Sequence, residues 1–310
     1  MHPHQTRKRT IKGYYFASSI QEAIAYLMAH HGESQVIGGG TLLLPMMQQK
    51  RDMTPYLADV SRVSSICRVA ENDGEIVVGG GNTFARLQQS DTIRARVPLL
   101  CQAAEQIRSP QIRRLATLGG NVVSAYGNAH GTVALMALGA EVEITNSTGS
   151  QWLPIHSLFV KRGVSRVDSA TEIVTAFRIP ARRAGQGMAM ASLPADGAQW
   201  RSSLVLAINI KLNKDSFVPH EVALAVGSTD SAPVRLDEIE DELLDLALND
   251  AKTYDILGEA IRADAVEQHR LDAADGAYDD IPALAAQALE RALDMALSDG
   301  SSTSTGPTTF

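Results

Sequence analysis

Residues Arg113 to Gly131 read RRLATLGGNVVSAYGNAHG. The stretch holds paired glycines at 119 and 120, an asparagine directly after them, single glycines at 127 and 131, and no acidic residue. A backbone this bare, followed at once by small and apolar side chains, suits a place where something large lies against the main chain. Glycine lacks the Cβ that would hold a ligand off and also tolerates positive φ. Successive amide N–H groups at such turns suit phosphate oxygens.

Two more clusters of the same kind lie upstream, at Gly38-Gly39-Gly40 and Gly79-Gly80-Gly81; with Gly119 and Gly120 they hold eight of the 24 glycines. Each follows a short apolar segment, and each taken singly reads first as a tight turn or strand end; three of them within the first 120 residues favour a ligand. A Rossmann fingerprint does not fit. Gly38 and Gly40 match the first two glycines of GxGxxG, but Leu43 stands where the third belongs and Pro45 interrupts the helix that should follow.

Around these clusters the chain alternates short strands and helices. SIQEAIAYLMAHHG has helical spacing, with Ser18 or Ser19 to cap it and Gly32 to end it. QVIGG, YLADVSRV, EIVVGGG, EVEIT and EIVTAFRIP read as strands, and TLLLPMMQQK and TVALMALGA as helices. TFARLQQSDTIRARVPLLCQAAEQI reads as two helical stretches broken at Pro98. Beyond the linker-like ARRAGQG come two strand candidates, SSLVLAINIKL and EVALAVGS. Acidic helical segments follow, LDEIEDELLDLALND and IPALAAQALERALDMAL, and then a polar tail. The expected organisation is a domain over residues 1–180, divided near residue 58, a second domain over 181–298, and a flexible tail over 299–310.

The bulk numbers narrow the function. The chain has 310 residues, 45% hydrophobic and 20% charged, with a formal charge of −7. This disfavours nucleic acid or an anionic membrane as the main partner. No apolar run reaches the roughly 20 residues of a membrane helix, and the polar, basic start MHPHQTRKRTIKG is not a secretory signal. Cytoplasmic location is expected, with export in company with a partner left open. Cys67 and Cys101 are the only cysteines; they form no metal motif, and two thiolates cannot hold an iron–sulfur cluster. No metal site and no catalytic acid or base is expected on this chain.

VIGGGTLLLPMM resembles the glycine motif of the flavin-binding subunits of molybdenum hydroxylases, a group that includes the medium subunit of carbon monoxide dehydrogenase and the FAD domain of xanthine dehydrogenase. SPQIRRLATLGGNVVSAYGNAHGTVALMALGAEVEI is similar to the group's second motif, and EIVTAFRIP to the strand that ends its flavin domain. The likeness runs from about Gly13 to Pro180 and more weakly to about Leu297.

The resemblance implies an α+β fold: a two-part FAD-binding domain of the p-cresol methylhydroxylase type, then a C-terminal domain of sheet and helices. It implies FAD as cofactor, held on one side by Ile37, Gly38, Gly39, Gly40, Thr41 and Leu42 and on the other by Thr117, Leu118, Gly119, Gly120 and Asn121. His130 stands where the group has an aspartate that bonds the cofactor, and Leu42 where it has Asp or Ser. His130 is read either as facing the cofactor or as an exposed loop residue. Gly39→Val and Gly120→Val are expected to remove the flavin while sparing most of the fold. The role implied is electron transfer inside a larger enzyme, from an iron–sulfur small subunit and a molybdopterin large subunit to an outside acceptor. The alternatives are a stand-alone flavoprotein oxidoreductase of the same fold and a scaffold subunit without FAD.

Overall fold

The structure is a computed structural model that describes residues 11–49, 54–195, 198–213, 216–268, 270 and 278–298; the expected tail lies outside them. The first region is a parallel sheet in the order β1-β3-β2, formed by β1 (Gly13–Phe16), β2 (Ser34–Ile37) and β3 (Tyr56–Asp59). Helix α1 (Ile20–Ala29) covers one face with Ile20, Ala23, Ile24 and Leu27, and Ser19 caps it by accepting from the Glu22 amide. Helix α2 (Leu43–Gln49) covers part of the other face through Met47, with Pro45 in its first turn, where a missing amide costs no helical bond.

The second region is built on an antiparallel sheet in the order β4-β5-β10-β6-β7. Its first two strands are β4 (Val69–Asn72) and β5 (Glu75–Gly79). Six helices separate β5 from the next strand: α3 (Phe84–Gln89), α4 (Asp91–Arg96), α5 (Pro98–Gln106), α6 (Pro110–Leu115), α7 (Leu118–Val123) and α8 (His130–Ala137). Then come β6 (Glu141–Asn146), β7 (Gly149–Pro154), the small hairpin β8 (Phe159–Lys161) and β9 (Val164–Ser165), and the central strand β10 (Ile173–Pro180). The two helical stretches expected around Pro98 are three. Pro98 does open α5, but Ser90 also ends α3 and caps α4 by accepting from the Ile93 amide. Every residue of α8 is buried, as expected for a helix that is apolar all round.

The third region is an antiparallel sheet of β11 (Gln186–Ala195), β12 (Ala198–Leu212), β13 (Pro219–Ser228) and β14 (Val234–Arg235). Three helices follow: α9 (Asp237–Leu243), α10 (Ala251–Glu267) and α11 (Ile281–Ser298). This sheet is covered on both faces, which explains why β12 reads as nearly continuous apolar sequence. Met188, Met190, Val205, Ala207 and Ala225 join the core of the second region. Ala189, Ala191, Leu204, Leu206, Ile208 and Leu224 face the helices.

Strand β11 was not among the strands expected from sequence. Its residues Gly187–Ala191 are GMAMA, without a β-branched side chain. Its outer edge is closed by a side chain: the Gln102 carboxamide donates to Met188 O at 3.2 Å and accepts from Met190 N at 2.8 Å. Covering an edge in this way keeps it from pairing with another chain.

Candidate functional site

All three glycine clusters, far apart in sequence, meet at one junction. A Cβ on Gly39 would lie 1.7 Å from the carbonyl oxygen of Leu115, and one on Gly38 would lie 2.9 Å from Thr117 Oγ1. The first cluster thus lies against the start of the second motif. A Cβ on Gly119 would lie 3.0 Å from Gly80 O, whose carbonyl accepts the Gly119 amide at 2.8 Å. The middle cluster thus packs directly against the second motif.

The first loop leaves its donors unused. Val60 N donates to Ile37 O and Leu44 N to Gly40 O. Among the described residues, however, no protein acceptor takes the amides of Gly38, Gly39, Gly40, Thr41 or Leu42. Gly40 has φ +66°, a conformation that favours glycine. Leu42 and Leu44 are exposed beside the loop, as is Leu115 across the junction. The loop therefore combines free amides with an apolar flank.

The second motif is built the other way. Thr117 caps α7 by accepting from the Gly120 amide, Leu118 N donates to Asn82 O at 2.9 Å, and Asn121 N donates to Thr117 O. Asn121 Oδ1 accepts from the amide of Thr132 at 3.1 Å and from its hydroxyl at 3.3 Å. It thereby caps α8, whose own N-cap residue, Ala129, has no side-chain acceptor. Gly120 alone of this group is exposed, and a Cβ there would meet only Thr117 Oγ1, at 2.9 Å.

His130 is the first residue of α8 and is 9% exposed, so the exposed-loop alternative is excluded. Burial pushes its pKa down to about 4, which leaves a neutral imidazole at pH 7. The expectation for Gly39→Val also changes. The close approach that forbids a Cβ there comes from the chain's own Leu115 carbonyl, so the substitution strikes the fold as well as any ligand.

Charge follows the same geometry. Residues 106–140 carry Arg108, Arg113 and Arg114 and no Asp or Glu, in a chain of net charge −7. Arg113 donates to Ile107 O at 2.6 Å, which fixes its side chain at the start of α6. Free amides, a positive-φ glycine and a second motif without acidic residues suit the diphosphate of a dinucleotide, with apolar side chains ready for its ring systems. Gly80, Asn82 and Thr83 join this junction although only their glycine-rich spelling, GGGNT, marks them in sequence. Among the described residues no group of three His, Cys, Asp or Glu side chains is placed to hold a metal ion, and no helix is long and apolar enough to cross a membrane.

Known proteins resemble this chain. The family described as FAD binding domain in molybdopterin dehydrogenase matches residues 7–182. The xanthine dehydrogenase FAD-binding subunit of Escherichia coli O157:H7 is 26% identical over 253 residues, 81% of this chain and 85% of that one. The carbon monoxide dehydrogenase medium chain of Hydrogenophaga pseudoflava is 27% identical over 191 residues, 61% of this chain and 66% of that one. A chain in the structure of reconstituted CO dehydrogenase from Oligotropha carboxidovorans superposes with a TM-score of 0.80 at 23% identity, covering 91% of this chain and 98% of that one, and so has the same fold. With the glycine junction in place and more than half its length matched, this chain belongs to the family of FAD-binding domains of molybdopterin dehydrogenases.

Proposed function

We propose that this chain is the FAD-binding electron-transfer subunit of a molybdopterin-dependent dehydrogenase. In this reading an iron–sulfur subunit passes electrons in, and an outside acceptor takes them away. Residues 1–180 serve as the cofactor domain and 181–298 as the second domain, in a cytoplasmic assembly with a molybdopterin-bearing large subunit. The observation that carries the reading is the first loop, whose amides from Gly38 to Leu42 have no protein acceptor among the described residues.

The chain's own residues bind and orient. The amides of the Gly38–Leu42 loop hold the diphosphate, which needs no lysine because the N–H dipoles supply the positive potential. Ile37 anchors the loop to the sheet through Val60. Leu42, Leu44 and Leu115 keep water from the ring systems. Thr117, Leu118, Gly119 and Gly120 would form the opposite wall, and Asn121, its oxygen engaged by Thr132, would offer its NH2 as a donor. His130 stays neutral and adds no charge there. Bound FAD accepts and releases electrons; the protein sets its position and surroundings.

The test is the purified full chain. Stoichiometric FAD released on denaturation, with a flavin absorption spectrum before it, is expected. A folded chain that neither carries nor takes up FAD would instead support the scaffold reading. The chain alone should reduce no dye with any substrate of the assembly. Substrate-dependent dye reduction by the isolated chain would favour a stand-alone oxidoreductase.

A further inference from the structure

We propose that Asn82 is the positioning residue of the cofactor cradle, fixing the wall that runs from Thr117 to Asn121 without touching the cofactor itself. The inference rests on the FAD reading above and extends it to a loop outside the two motifs.

Asn82 is 3% exposed. Its carboxamide NH2 donates to Gly79 O at 3.0 Å and to Arg68 O at 3.2 Å, tying the loop to the ends of β4 and β5. Below, Gly80 N donates to Thr175 O in the central strand and Gly81 N to Ile66 O, each at 2.8 Å. Above, the same loop runs beside the second motif like a short strand. Asn82 O accepts from Leu118 N, Gly80 O accepts from Gly119 N, Phe84 N donates to Ala116 O, and Thr83 pairs with Thr117. Every one of these bonds to residues 116–119 comes from residues 80–84. The height of the cradle wall over the sheet is therefore set by one loop, which the amides of Gly80 and Gly81 and the buried side chain of Asn82 together tie down.

The chemistry requires an amide at this position. The group faces two carbonyl oxygens, so it must donate twice. An aspartate has the same shape but, ionised, presents only acceptors to those carbonyls. Protonated, it regains one donor. Burial and the facing carbonyls favour the protonated form, so this regain is expected within the accessible pH range.

The experiment measures FAD affinity by flavin fluorescence on the full chain freed of flavin, from pH 5.5 to pH 8, with thermal unfolding followed in parallel. The variants are Asn82→Ala and Asn82→Asp, and the parent is measured at each pH. At pH 8 both variants should bind FAD at least about tenfold more weakly, the scale of one unmet buried hydrogen bond, and should still unfold cooperatively. At pH 5.5 Asn82→Asp should recover part of that loss relative to the parent, and Asn82→Ala none. Affinity within about twofold of the parent in both variants overturns the proposal. So does identical behaviour of the two variants at every pH, or loss of the fold in both, since either makes Asn82 a residue of general stability. If the parent itself binds no FAD, the functional reading fails instead, and the two failures are told apart by the parent alone.

Discussion

In the loop from Gly38 to Leu42 the amides have no protein acceptor among the described residues; in the stretch from Thr117 to Asn121 the fold takes most of them. Both are spelled with paired glycines. In the first, the glycines free the donors and permit the turn at Gly40. In the second, Gly119 lets the backbone pack at hydrogen-bond distance against Gly80, while Leu115 just ahead of it lies where a Cβ on Gly39 of the first loop would be. Glycine-rich sequence permits close chain-to-chain approach in both places, but it leaves the amides without protein acceptors in one and has them taken by the fold in the other; only the pairing geometry separates the two.

The sharpest way to break this contrast is Gly39→Val. The new Cβ would lie 1.7 Å from Leu115 O, which belongs to backbone and cannot swing aside. We expect a loss of at least about 3 kcal/mol of stability, measured by urea denaturation of the flavin-free chain, together with loss of FAD. Parent-like stability would show that the two loops are not locked together.

Acid comes next. The folded pKa of His130 is about 4, against 6.5 for an unperturbed imidazole, so between those values the unfolded chain binds more protons. The contribution of His130 is complete above pH 6.5 and declines as pH falls to about 4, by up to about 3 kcal/mol. Urea midpoints of the flavin-free chain across that range should show the decline, and His130→Gln should flatten it. An unchanged slope would mean that the imidazole titrates as if in water.

Smaller effects separate the two loops more finely. Thr117→Val removes the cap on the Gly120 amide and should cost about 1 kcal/mol of stability, read from the same denaturation curves. Gly120→Ala is expected to change stability by less than about 1 kcal/mol, because helix preference for alanine offsets the crowding at Thr117 Oγ1. Its FAD affinity should nevertheless fall, since Gly120 is the exposed residue of the wall. A Gly120→Ala chain that binds FAD like the parent would place the cofactor elsewhere.

Much of the framework is readable in the residues. Strands β5 and β10 are legible without strict alternation, because EIVVG and IVTAFRI are runs rich in β-branched side chains and bounded by glycine or proline. Strand β11 is hidden by its Met and Ala content, and the break at Ser90 by the stronger signal of Pro98. At the site, both glycine motifs are visible in sequence, whereas the role of Asn82 is not. It depends on Gly80 and Asn82 meeting Gly119 and Leu118, a long-range pairing that no local pattern encodes.

Helix α8 has a consequence for measurement. It begins beside the Asn121 cap, lies buried along its whole length, and ends where Ala137 O accepts from Asn209 in β12. Its amides have no shallow route to solvent, so their hydrogen exchange should proceed only through opening of the whole core. Deuterium uptake in His130–Ala137 therefore acts as an internal clock for global unfolding. Cofactor loading should slow that clock by the full linkage factor set by FAD concentration over its Kd, while exposed elements such as α6 keep their own faster time.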